Sequence, residues 1–362
     1  MQTTAWHRLG KVEQFADRAL QQITIGELTI ALSYRDGEFA AISGVCNHVG
    51  GPLGDGTLSD DGYVVCPWHH WQFQRFTGEA RPGIPAAVPR HEVKVEQGEL
   101  FVNLTPATQR IHAAHPSHPL NREIKREPGP LRVVGISTTA MNRQFPRYST
   151  SEDLLQVALE QVRQQGAETK LIGLKDLAFR ACEGYYSKSA QACTWPCSIT
   201  QMDSTDELDQ VYEALVFWAD VVLIATSIRW GAPSSLYFKM IERMNCIQNQ
   251  ITIHERVLIR NKVAGFVITG GQDNIQAVAG QMLMFFGELG FLVPQFPFVA
   301  HSRGWSAEDM ENNMAQVKSD HDLREGTKAL SERCLQLAAS LIAGGEGSAT
   351  VEPGGRKAHL PK

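Results

Sequence analysis

Long apolar runs are missing from this 362-residue chain. Nowhere do about 18 apolar residues follow one another, so no membrane-spanning helix is expected. The opening MQTTAWHRLGKVEQFADRAL also lacks an apolar stretch of the signal-peptide kind. Basic excess is missing too. Lys and Arg number 34 against 39 Asp and Glu, a net charge of −5, which gives no electrostatic footprint for nucleic acid. Seven cysteines, an odd count spread over the whole length, do not make a secreted disulfide scaffold. What is present is ordinary for a globular chain: 43% hydrophobic and 20% charged residues. The expectation is a cytoplasmic protein of two domains, with neither nucleic acid nor membrane as partner.

The chain divides by rhythm. Over residues 1–105 the pattern is short and β-like, as in Leu28–Leu32, Tyr63–Val65 and His91–Val95. Asp36-Gly37, Asp55-Gly56, Asp61-Gly62 and Thr77-Gly78 punctuate it as turns. A small all-β domain is expected there. Residues 106–130 break every periodicity with several prolines and His112, His115 and His118, and read as a solvated linker. From 131 to 343 strands and helices alternate: a strand at Leu131–Ile136, a helix closed by Gly166, and strands at Lys170–Leu174 and Val221–Ala225. A helix over Asp206–Ala219, strands at Val263–Thr269 and Phe291–Val293, and a long helix from about Glu308 follow. That alternation predicts a five-stranded parallel sheet with helices on both faces. Residues 344–362 are glycine-rich and read as a flexible tail.

Two cysteines and two histidines carry the sharpest signal. Cys46-Asn47-His48 is a C-x-H, and Cys66-Pro67-Trp68-His69 a C-x-x-H. Composition alone produces such a set with a probability on the order of one in a thousand. Two thiolates and two imidazoles suit zinc or an iron–sulfur cluster. Zinc fingers usually keep the cysteines in one pair and the histidines in the other, whereas here each loop brings one of each. The stretches CNHVGGPLGDG and CPWHHWQFQRFTG resemble the Rieske [2Fe–2S] domain. The resemblance implies Cys46 and Cys66 on one iron and His48 and His69 on the other, with a potential above that of all-cysteine clusters. Neither loop has the extra disulfide cysteine of the cytochrome-complex branch, so the likeness is to the soluble ferredoxin and oxygenase branch. His70 stands where that family often has glycine.

The α/β part offers loops rather than ligands. Ser137, Thr138 and Thr139, then Ser149, Thr150, Ser151 and Glu152, precede a helix, where hydroxyls and amides can hold a phosphate. They also cap helices that bind nothing. This loop is not a G-x-G-x-x-G fingerprint, against a standard dinucleotide fold. Thr226–Ser235 and Thr269–Asp273 follow two further strands, at the strand ends where open α/β sheets bind ligands. Together these loops resemble the flavodoxin-like NAD(P)H-dependent FMN reductases and their iron–sulfur flavoprotein relatives, over about residues 131–305. The resemblance implies Ser137, Ser149, Thr150 and Ser151 at the FMN phosphate. It places Ser227, Ile228, Arg229, Trp230, Gly231, Gly270, Gly271 and Gln272 along the isoalloxazine. The usual early arginine is absent, and Arg143 or Arg147 is expected to substitute.

Cys182, Cys193 and Cys197 fall between the second strand and the Asp206 helix, with Cys246 downstream as the one plausible fourth ligand of a second cluster. Reduced cysteines that pack or stay idle are the stronger reading, and a redox-active thiol pair is a further one. Joined, the resemblances imply an NAD(P)H-dependent FMN oxidoreductase with its own Rieske cluster and a homo-dimeric or homo-tetrameric assembly. Its acceptor would be an oxygenase component, a quinone or another organic substrate. A redox carrier or sensor without NAD(P)H turnover is the alternative.

Overall fold

The computed structural model describes residues 6–48, 50–112, 118–187, 189–270, 274–302 and 306–344. The chain forms two compact units. One comprises Met1–His118 with Gly184–Cys193, the other Pro119–Glu183 with Thr194–Lys362.

The first unit is built of three small antiparallel sheets. Strands Leu20–Ile25, Leu28–Arg35, Glu38–Ser43 and Arg90–His91 make the largest. Trp6–Lys11, Glu99–Asn103 and Val93–Glu96 form a second, and Thr57–Leu58, Tyr63–Val65 and Gln72–Gln74 a third. The expected strand over His91–Val95 is divided at Glu92, because His91 pairs with Ala41 while Val93 pairs with Val102. Alternation along Leu28–Arg35 fills two cores. Ile30 and Leu32 pack with Leu100 and Val102, and Ala31 packs with Ile42, Val64 and Phe73. Cys46 and Cys66 belong to the second core. The stretch read as linker is tied at both ends. Ala87 and Ile111 exchange backbone hydrogen bonds of 3.0 and 2.9 Å, and Arg126 donates to Asp220 at 2.8 Å. His115 and the tail from residue 345 lie outside the described residues.

The second unit is a five-stranded parallel sheet in the order Glu168–Gly173, Arg132–Ser137, Val221–Ser227, Val263–Gly270, Phe298–Ser302. This 2-1-3-4-5 order is the flavodoxin-like one and puts a topological switch point beside the first strand. Helices Thr150–Gln164 and His321–Ala343 cover one face, with Leu155, Leu159, Leu330 and Cys334 against Val133, Leu223 and Val267. Helix Ile275–Leu289 lies on the other, Phe286 meeting Phe266 edge to face at 5.4 Å. The expected strand Phe291–Val293 is a single bridge, Leu292 to Val263. Pro294 and Pro297 lack the amide a ladder needs, so regular pairing starts at Phe298. The expected long helix is two, Ala307–Ser319 and His321–Ala343; between them Asp320 accepts from the Leu323 amide at 2.9 Å and starts the second. The Asp206–Ala219 helix is shorter, a turn at Asp209–Tyr212 continued as a π-helix over Glu213–Trp218. Among the described residues no helix is long and apolar enough to cross a membrane.

Candidate functional site

The loops of Cys46 and Cys66 share one backbone design. The Cys46 amide donates to Gly51 O at 2.9 Å and Cys46 O accepts from Gly50 N at 3.1 Å. Likewise the Cys66 amide donates to Trp71 O at 2.8 Å, and Cys66 O accepts from His70 N at 3.1 Å. The fourth residue after each cysteine therefore has positive φ: 81° at Gly50 and 54° at His70. Glycine enters that region freely and a side chain at a cost of about 1 kcal/mol, which explains why glycine suits position 70. Gly51 serves a close approach instead, since a Cβ there would lie 2.8 Å from the Cys66 sulfur.

These loops bring all four candidate ligands together. Cys46 and Cys66 are buried and their thiols hydrogen-bonded; that bond and burial push the Cys46 thiol well above its ordinary range. The rings of His48 and His69 are 4.3 Å apart between centroids, and Nδ1 of each is buried. His69 Nε2 lies 2.8 Å from Ala192 O. A carbonyl only accepts, so Nε2 holds the proton and Nδ1 keeps the lone pair that a metal needs. Arg110 sits under the first loop, donating to Val45 O at 2.9 Å and Ser43 Oγ at 2.7 Å, and its charge bears on Cys46. A donor set of two thiols and two imidazoles beside a cation fits a cluster carrying negative charge, whose binding displaces both thiol protons.

In the second unit, three loops border one cleft of about 480 Å³. Ser149, Thr150, Ser151, Ser227, Ile228, Arg229, Trp230 and Gly270 line it, together with Arg147. Thr139 Oγ1 is 2.7 Å from Ser149 Oγ and 3.3 Å from Ser151 Oγ, so three hydroxyls meet at the start of helix Thr150–Gln164. Thr150 and Thr269 hydroxyls, 2.7 Å apart, join two of the loops. Ser137 does not line the cleft: its buried hydroxyl donates to Glu152 at 2.7 Å. Arg143 points to the backbone of Asp176, so of the two arginines expected near the phosphate only Arg147 lines the cleft. Trp230 and Gly231 occupy a tight turn closed by Arg229 and Ala232, both at positive φ, and the Trp230 ring is 96% exposed. A bulky side chain held in the left-handed region at a cleft mouth is strain of the kind found at functional sites. Gly271 and Gln272 lie outside the described residues.

Sequence reasoning missed part of the lining. Met141, Tyr148, Asn313 and Met314 also border the cleft. The last two come from helix Ala307–Ser319, remote in sequence and unremarkable in pattern. The Asn313 side-chain oxygen is buried with no hydrogen-bond partner among the described residues, an acceptor that a ligand in the cleft can satisfy. Burial, helped by a hydrogen bond to Asp153, pushes the Tyr148 phenol up to about 12, so it stays protonated.

Of the four cysteines read as a second cluster, Cys197 and Cys246 share a hydrogen bond. That bond, with Arg243 donating to Cys197 at 3.2 Å, holds the Cys197 thiol down at about 5 despite burial. Arg243 is itself paired with Asp206 at 2.8 Å, both side chains fully buried. Cys193 belongs to the first unit and Cys182 to the second.

Comparison with known proteins finds a match for each half. Residues 5–99 match the Rieske [2Fe-2S] domain family, and residues 132–306 match the NADPH-dependent FMN reductase family. The ferredoxin component of the alkene monooxygenase system of Xanthobacter autotrophicus is 28% identical over 95 residues, 26% of this chain and 78% of that one. The 8-demethyl-8-aminoriboflavin-5'-phosphate synthase of Streptomyces davaonensis is 25% identical over 171 residues, 45% of this chain. The match spans 60% of that relative's length. The crystal structure of RosB with a bound 8-demethyl-8-formylriboflavin-5'-phosphate intermediate aligns over 63% of this chain and 86% of its own, with TM-score 0.50 and 20% identity. That likeness is one of fold.

Proposed function

From a chain that joins a Rieske [2Fe–2S] domain to an NADPH-dependent FMN reductase domain, we propose an oxidoreductase that takes hydride from NAD(P)H and delivers single electrons to an external acceptor. An electron-transfer role that combines flavin and Rieske chemistry follows from the two families, with a [2Fe–2S] cluster, FMN and NAD(P)H as cofactors. When bound, FMN accepts electrons in pairs and releases them singly, while the cluster handles one at a time. The observation that carries the reading is the coexistence, in one chain, of the Cys46–His48–Cys66–His69 donor set and a hydroxyl-lined cleft at strand ends.

The chain's own residues divide the work. Cys46, Cys66, His48 and His69 would hold the cluster, with Gly51 leaving room at Cys66. Thr139, Ser149 and Ser151 would hold the FMN phosphate, and the helix behind them places its positive end there. Ile228, Arg229, Trp230 and Gly270 would border the isoalloxazine, where the Arg229 charge favours electron density on the ring. The external acceptor is a quinone, another organic substrate or an oxygenase component. An oxygenase partner is suggested by the monooxygenase ferredoxin among the relatives. Helix Ile275–Leu289 shows solvent a nearly uncharged face, with Met284 67% exposed, which supports a homo-dimer or tetramer.

The synthase among the relatives makes a flavin phosphate, which raises the reading that flavin is substrate rather than cofactor. Analysis of iron, sulfide and flavin, before and after turnover with NADPH, separates the two. One FMN recovered unchanged with a [2Fe–2S] cluster is expected. A chemically altered flavin, or none even after reconstitution, contradicts the proposal.

A further inference from the structure

The parallel sheet carries a second pocket at the edge opposite the cleft. The cleft takes Ser227 and Gly270, which end their strands, whereas this pocket takes Asp220 and Lys262, which immediately precede the same two strands. Strand Val221–Ser227, seven residues long, holds the two sites roughly 20 Å apart. The pocket measures about 510 Å³, enough for a small organic molecule, and part of its wall is apolar, with Phe217, Val257, Leu258 and Ile342. Its charge is one-sided. Of the two carboxylates in the lining, Asp220 accepts from Arg126 at 2.8 Å and from the Arg132 amide at 3.0 Å, and Glu123 pairs with Lys125 at 2.7 Å. Arg256, Arg260 and Lys262 also line the pocket and have no ion-pair partner among the described residues. Lys262 is only 8% exposed, and its ammonium spends one of three N–H groups on Ala219 O. Beside it, the Asn261 side-chain oxygen is buried with no hydrogen-bond partner among the described residues.

We propose that this pocket binds a small organic acid, a carboxylate on an apolar ring that also bears a hydroxyl. A buried ammonium with a single acceptor has lost most of its hydration, and a carboxylate restores what it lacks. Burial already pulls the Lys262 ammonium down to about 8, the direction expected of a cation without a close counter-charge. Arg256 and Arg260, both exposed, add attraction for the same charge. The ring lies against the apolar wall, and its hydroxyl donates to Asn261, the one group here that asks for a donor. A neutral hydrocarbon would leave Lys262 and Asn261 unsatisfied, and a bare inorganic anion would leave the wall uncovered. The pocket shares no lining residue with the cleft, so the inference goes beyond the flavin and Rieske reading and does not rest on it.

Isothermal titration calorimetry on the full, cofactor-loaded chain tests it, with 4-hydroxybenzoate, 4-hydroxybenzamide, benzoate and inorganic phosphate as probes. 4-Hydroxybenzoate should bind about thirtyfold more tightly than the uncharged amide. It should bind about fivefold more tightly than benzoate, which lacks the hydroxyl, and about tenfold more tightly than phosphate, which lacks the ring. Lys262→Met should weaken 4-hydroxybenzoate about thirtyfold. Arg260→Gln, at an exposed position, should weaken it about fivefold and serves if the buried variant does not fold. Asn261→Gly, which suits the φ of 53° there, should erase the preference over benzoate. Trp230→Ala, in the cleft, should leave the probe's affinity within about twofold. No binding of 4-hydroxybenzoate at about 10 mM overturns the proposal, as does equal affinity for acid and amide. Phosphate binding as tightly as the aromatic acid overturns the organic ligand, and a probe displaced by Trp230→Ala but not by Arg260→Gln overturns the location.

Discussion

The two halves of this chain build their sites from opposite materials. Around Cys46 and Cys66 the proposed chemistry rests on four side chains, carried by two short loops of the same backbone design. In the α/β half it resides in shape. Hydroxyls, backbone and a helix end from loops spread between Thr139 and Met314 border one cleft. A site of ligands should fail all at once, and a site of shape by degrees.

The sharpest break of that contrast is Cys46→Ser. Removing one of two thiolates should abolish the cluster's visible and EPR signals while FMN binding, followed by flavin fluorescence, stays within about twofold. Loss of flavin along with the cluster would mean the halves are not independent sites. The second effect concerns the base of the α/β sheet. Lys262 is buried, donates to Ala219 O, and burial pushes it down to about 8. Its folded value is below the unfolded one, so the unfolded chain binds more protons between about pH 8 and 10.5 and stability is gained as pH rises through that window. The gain is up to about 3 kcal/mol. Denaturation of Lys262→Met across the same range should lack it; parallel curves would show the ammonium is solvated.

Smaller effects sharpen the comparison. Ser151→Ala removes one hydroxyl of three near the candidate phosphate site and should weaken FMN binding about tenfold, roughly one charge-assisted hydrogen bond. Complete loss would mean the α/β site, too, hangs on one ligand. The last is His70→Gly. It relieves positive φ in the second loop and should raise stability by about 1 kcal/mol in chemical denaturation, provided the ring contact with Tyr185 at 6.3 Å contributes less than that. A net loss would make His70 a packing residue of the segment Gly184–Cys193.

The same difference governs how much was legible in the sequence. Cys46, His48, Cys66 and His69 stand out because few residue types bind metal and their offsets are fixed by the loop. The parallel sheet was legible from apolar strands alternating with amphipathic helices, and its order then puts the cleft at the strand ends. Ser137 shows the limit: its position in the first loop suggested a phosphate contact, yet its hydroxyl is taken by Glu152, a choice made by side-chain packing. Asn313 and Met314 reach the cleft only through tertiary packing of a helix whose own pattern is ordinary. Phe298–Ser302 replaced the expected edge strand because two prolines delay pairing. Nothing in the sequence announces that Gly184–Cys193 leaves its neighbours in the chain to cover His69.

On the proposed function, one chain collects electron pairs at its α/β half and passes single electrons through its β half. Anaerobic stopped-flow mixing with NADPH, read at the flavin band and at the Rieske bands, tests it most directly. The flavin band is expected to bleach first and the cluster bands to follow in the same molecule, at a rate independent of protein concentration. A flavin that bleaches while the cluster stays oxidised, or a cluster whose reduction scales with protein concentration, would contradict it.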